Sequence, residues 1–102
     1  MPIAKKNITL KDALSKAQAL CAKQEKCEFD IRKKLYDWKL DVKEHDKVIN
    51  ELKKDKYIDD QRYAIFFAKD KFNFGKWGKI KIEFALKQKC ILYITNRNIF
   101  LF

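Results

Sequence analysis

Glycine, proline and histidine are scarce in this chain, with two, one and one respectively among 102 residues. A many-stranded sheet needs more turn residues than that, so the shortage argues against most all-β architectures. It favours helices, which the abundant Lys, Leu, Ala, Gln and Glu support. The single histidine, His45, excludes a His-dependent relay with any redundancy. Cysteine is sparse as well: Cys21, Cys27 and Cys90 form no C-x-x-C pair and have no histidine nearby. Neither a disulfide framework nor a zinc site is indicated, and the three read as reduced thiols of a cytosolic protein. Long hydrophobic runs are missing too. Residues 90–94 are far below membrane-spanning length, and Met1–Asn7 precedes no apolar signal region. The expectation is cytoplasmic residence, with no membrane and no metal.

What is plentiful is positive charge and apolar mass. The formal net charge is +10, 47% of residues are hydrophobic, and 14% are aromatic. A chain of this length buries one modest core or two small ones. The charge is uneven: residues 1–40 carry a net +5, residues 41–68 a net −1, and residues 69–90 a net +5. Basic flanks of this kind suit nucleic acid, an acidic protein surface or an anionic membrane.

Helical spacing recurs along the chain. Thr9 with Asp12 reads as a capping box ahead of Leu10, Leu14, Ala17 and Cys21, predicting a helix from Leu10 to Gln24. A second is predicted from Glu28 to Trp38, with Ile31, Leu35 and Trp38 in one stripe and Arg32, Lys33 and Lys34 pointing elsewhere. A third starts at Asp41, boxed with Glu44, and buries Val42, His45, Val48, Ile49 and Leu52, with His45 at the core boundary. Asp59 or Asp60 then caps a helix whose rings Tyr63, Phe66, Phe67 and Phe74 are core candidates, ending at Gly75 as its C-terminal cap. Residues 79–87 alternate like a strand, yet Trp77 with Ile80 and Phe84, and Ile82 with Leu86, also fit a helix.

An internal echo decides for helix. An offset of 51 positions brings Ala13 onto Ala64, Ala17 onto Ala68, Ile31 onto Ile82, Leu35 onto Leu86 and Leu40 onto Ile91. Five apolar matches at one offset suggest a tandem repeat. The fold class expected is all-α, with tandem three-helix repeats and an incomplete second repeat. Its segments are a basic start at 1–9, a first repeat at 10–58, a partial second at 59–90, and an apolar tail at 91–102.

Catalytic patterns are missing. No G-x-S-x-G or phosphate-cradling G-x-x-x-x-G-K-[ST] occurs, and Gly75-Lys76-Trp77-Gly78 is too short to imply a nucleotide site. Adjacent Asp59 and Asp60 read as caps before metal ligands. No enzymatic activity and no cofactor are expected.

The order Asp30-Ile31-Arg32-Lys33-Lys34-Leu35, Val48-Ile49 with Leu52, Tyr57-Ile58-Asp59-Asp60-Gln61-Arg62-Tyr63-Ala64, and Gly78-Lys79-Ile80-Lys81-Ile82 with Phe84-Ala85-Leu86 resembles the regulatory protein RecX family. The likeness covers roughly residues 10–91. It implies a non-enzymatic regulator of recombination and DNA repair that binds the RecA recombinase filament and inhibits its ATP hydrolysis and strand exchange, with direct DNA contact as a further expectation. A basic helical DNA-binding module without recombinase-specific activity is the alternative. Within this picture Arg32, Lys33, Lys34, Lys76, Lys79 and Lys81 are the expected contact groups. The motif residues Tyr57, Asp59, Asp60, Arg62, Tyr63 and Gly78 are assigned to architecture. The chain departs from the family after Cys90, where two apolar tetrads flank Thr95-Asn96-Arg97-Asn98. That pattern is expected to form a short hairpin or irregular tail on a truncated second repeat, and to drive self-association.

Overall fold

The computed structural model describes residues 8–89 and 91, and its described residues form five α-helices with no strand. They are α1 (Leu10–Lys23), α2 (Glu28–Asp37), α3 (His45–Lys54), α4 (Asp60–Asn73) and α5 (Lys79–Gln88), with a 3-10 turn at Val42–Glu44. The chain divides into two compact units, Met1–Ile58 and Asp59–Phe102. The expected tail, with its hairpin and self-association, spans residues 91–102; Ile91 is described and buried, and the rest lies outside the described residues.

In the first unit α1 begins where the Thr9 hydroxyl accepts from the Asp12 amide at 3.1 Å, satisfying one of the unpaired N–H groups of a helix start. Its small Ala13 and Ala17 are fully buried and let the other helices approach closely. Ile31 and Leu35 from α2 and Val48, Ile49 and Leu52 from α3 complete the core, closed by Leu40 and Ile58. Trp38 packs on its edge with the Lys16 ammonium 4.9 Å from the ring centroid.

The expected start of α3 at Asp41, with Val42 buried, needs correction. Val42 is 67% exposed, because Asp41 caps the 3-10 turn through the Lys43 amide and α3 itself begins only at His45. Val42 therefore lies on the entry turn, off the buried stripe, and Glu44 makes no side-chain cap bond. His45 is inside the core at 7% exposure, with Nε2 donating to the Leu40 carbonyl at 3.0 Å. A buried ring with a backbone partner avoids the cost of an unpaired polar atom.

In the second unit Asp59 is the N-cap of α4, its carboxylate accepting from the Gln61 and Arg62 amides at 3.1 and 3.0 Å. Tyr63, Ala64 and Ala68 are buried, as are Ile82 and Leu86 on α5 and Ile91 beyond it. Phe66 and Phe74, expected in the core, are 43% and 82% exposed. Phe66 stands about 200° around the helix from Ala64, so the alanine faces inward and the ring outward. Phe74 is the C-cap residue of α4. Gly75 does not supply the left-handed exit; Lys76 does, at φ 59°. A Cβ on Gly75 would lie 3.0 Å from the Lys71 carbonyl oxygen and 3.2 Å from the Trp77 ring, so the glycine permits a close approach. Lys39 and Lys56, which follow α2 and α3, also have positive φ, at 65° and 67°.

The 51-residue offset has a structural meaning. Each of the five matched pairs has both members buried. Residues 28–37 of α2 map onto residues 79–88 of α5 without a shift, while α4 starts one residue earlier than α1 would place it. Asp59 occupies the position equivalent to Ile8, and this displaced cap sets the earlier start.

Candidate interaction faces

On α2 the expected contact residues divide into two kinds. The Arg32 Nε donates to Glu28 Oε2 and its Nη2 to Asp46 Oδ1, each at 2.7 Å, while Lys53 Nζ lies 2.7 Å from Glu28 Oε1. These pairs tie α2 to α3. Burial pushes the Glu28 carboxyl up, but hydrogen bonds from Lys53 and Arg32 outweigh it and hold the carboxyl below its ordinary value. For Arg32 burial pulls the other way, and the two carboxylates leave the guanidinium more firmly protonated. Arg32 therefore braces the helix pair. Lys33 and Lys34 are exposed, the former a helical turn away from Phe29 at 38% exposure and from Tyr36 at 72%.

In the second unit Lys76, Lys79 and Lys81 gather at the N-terminal end of α5, all exposed. Like α3, that helix has no side-chain cap bond, and it differs from the other four α-helices in holding no acid in its first turn. Cations there oppose the helix dipole, typically by 0.3–1 kcal/mol each, so intrinsic helix stability does not explain them.

Sequence reasoning missed the way the aromatic residues organise lysines. Tyr63 stacks on Phe67 at 5.9 Å, and Phe67 meets Trp77 edge-on at 6.1 Å. Lys81 stands 4.4 Å from the Trp77 centroid and Lys71 5.2 Å, with Lys71 also 5.5 Å from Phe67 and Lys89 5.5 Å from Tyr63. Each such contact contributes roughly 0.5–1 kcal/mol where exposed. Residues 63, 67 and 71 follow the helical period, which is the signal available in the sequence; the return of Trp77 onto them depends on the link between α4 and α5. The column holds the base of the link and directs basic groups to its surface. Among the described residues no group of three or more His, Cys, Asp or Glu is arranged to hold a metal, and no helix is long and apolar enough to cross a membrane.

Residues 59–91, comprising α4, α5 and the buried Ile91, match the family model for RecX, second three-helix domain. The chain is also 38% identical over 79 residues to the Regulatory protein RecX of Clostridium acetobutylicum, an alignment covering 78% of this chain and 36% of that protein. This chain belongs to the RecX family. It spans about a third of the length of that curated relative (36%), and the RecX match takes in both α5 and the Asp59 cap of α4. No solved structure matches the chain. For this RecX chain, then, the motif residues Asp59 and Gly78 are the caps of α4 and α5, and Tyr63 is a buried ring in the aromatic column.

Proposed function

We propose that this RecX-family chain regulates a RecA-type recombinase by binding its filament on DNA and lowering its ATP hydrolysis and strand exchange. The observation that carries the reading is the family match over residues 59–91, joined to a first unit whose buried positions repeat the second. The action is binding and not bond chemistry. Lys33 and Lys34 on the first unit and Lys76, Lys79 and Lys81 on the second are the proposed contacts, to phosphates or to acidic side chains beside them; Arg32 supports α2 from within. The net charge of +10 favours a second reading, a helical DNA-binding module without recombinase-specific action.

The test is to titrate the full chain into single-stranded-DNA-dependent ATP hydrolysis by the host recombinase. Hydrolysis is expected to fall as the chain saturates the filament, and replacement of Lys76, Lys79 and Lys81 by Glu should weaken the effect at least about tenfold, as loss of several charge contacts does. Unchanged hydrolysis at saturating amounts, with retained and steeply salt-dependent affinity for bare DNA, refutes the recombinase reading and leaves the DNA-binding one.

A further inference from the structure

Among the described residues, the second unit leaves several large apolar side chains exposed to water. Phe66, Phe74, Ile80 and Phe84 are among them, Ile80 by 82% and Phe84 by 63%. Scattered exposed apolar residues are ordinary, whereas apolar side chains aligned on one helix face mark contact surfaces. Ile80 and Phe84 are aligned: they sit one turn apart on α5. Ile82 and Leu86, both fully buried, lie two residues beyond each, about 200° around the helix. Helix α5 thus carries an apolar pair on its outer side as well as on its packed side. Lys87 continues the outer stripe and Lys79 and Lys81 flank it, all three exposed; the one acid on the helix, Glu83, is half-buried.

Charge and shape together select the occupant. A second copy of the chain meeting this face symmetrically would set Lys79, Lys81 and Lys87 against the same lysines, and like charges in register oppose association. A bare nucleic-acid strand would neutralise the lysines, yet the aliphatic Ile80 has no π-face on which a base can stack, and it would remain in contact with water. An amphipathic protein helix with an apolar ridge and acidic flanks satisfies both features at once. Apolar anchors at i and i+4 are the spacing by which a helix seats on another surface.

We infer that the outer face of α5, with Ile80 and Phe84 as anchors and Lys79, Lys81 and Lys87 around them, docks an acidic amphipathic helix of a protein partner. The face shares Lys79 and Lys81 with the contacts proposed above, but the inference concerns the chemistry of the partner's surface and not its identity. The probe is a synthetic helical peptide with Leu at i, i+4 spacing flanked by Glu, compared with the same peptide carrying Lys in place of Glu, each titrated onto the full chain by fluorescence anisotropy. The acidic peptide is expected to bind saturably and the basic one not to bind. I80S/F84S should weaken binding at least about tenfold while preserving far-UV helicity, because both side chains lie outside the core. K79E/K81E/K87E should exchange the preference to the basic peptide, a reversal that unfolding does not produce.

Equal binding of both peptides, no saturable binding of the acidic one, or wild-type binding by I80S/F84S overturns the inference. So does a concentration-dependent dimer in sedimentation that I80S/F84S abolishes, which gives the face to a second copy. A tenfold loss of affinity for bare single-stranded DNA in I80S/F84S gives it to nucleic acid and overturns it equally. Failure to inhibit the recombinase, with peptide discrimination intact, removes only the function proposed above.

Discussion

Replacing Leu35 with Ala is the most direct probe of the first unit, because the next residue supplies its own control. Leu35 is fully buried among Ile31, Leu52 and the α1 alanines, whereas Tyr36 is 72% exposed. Truncating a fully buried leucine costs about 2–5 kcal/mol, part lost transfer energy and part residual cavity. A unit of this size has a stability on the order of 3–9 kcal/mol, from about 0.05–0.15 kcal/mol per residue. L35A therefore removes roughly half of it, and with a shift of about 4–8 °C per kcal/mol the melting temperature falls by roughly 8–40 °C. Y36A should stay within about 0.5 kcal/mol of the parent. The chain holds two tryptophans, Trp38 on the edge of this core and Trp77 in the second unit. In a W77F background, urea unfolding followed by Trp38 fluorescence reports the transition of interest. The packing argument is refuted by an L35A cost below about 1 kcal/mol, or by Y36A costing as much as L35A.

Two further outcomes follow from caps and charges. Glu28 is held below its ordinary pKa of 4.5, so its stabilisation is fully present above that value and is lost as pH falls through the depressed folded value. E28Q should flatten the stability-versus-pH curve there and cost a few tenths to about 1 kcal/mol at neutral pH, read from urea midpoints. Asp59 caps α4 and is followed by a second acid, so D59A is expected to cost less than about 1 kcal/mol by passing the cap to Asp60. D59A/D60A should then cost about 1–2 kcal/mol in thermal melts; equal losses in the single and double variants would exclude that exchange.

Much of the helical framework is legible in the spacing of particular residues. Ile31 with Leu35, and Val48 and Ile49 with Leu52, sit where a 3.6-residue period puts them. Residues 79–87 are ambiguous by pattern alone, and the internal echo resolves them because Ile82 and Leu86 must occupy the places of Ile31 and Leu35. What escapes sequence reading is long-range or geometric. Phe66 and Phe74 look like core by hydrophobicity, but two alanines already fill the inward positions of α4. Val42 depends on a 3-10 entry turn that its own side chain does not announce. Of the candidate contacts, the clustering of Lys76, Lys79 and Lys81 is visible from proximity in the chain. The engagement of Arg32 is not, since Asp46 lies 14 positions away and reaches it only once α3 folds onto α2.

The exact correspondence of α2 and α5 reaches beyond architecture. Their inward positions are nearly frozen: isoleucine matches isoleucine and leucine matches leucine. Their outward positions have traded characters. Lys33 corresponds to Phe84, Tyr36 to Lys87 and Asp30 to Lys81, so a cation in one copy stands where a ring stands in the other, and the reverse. The same packed side thus carries a different outer surface in each unit. One chassis can thereby present two different addresses, each open to change without disturbing the packing that displays it.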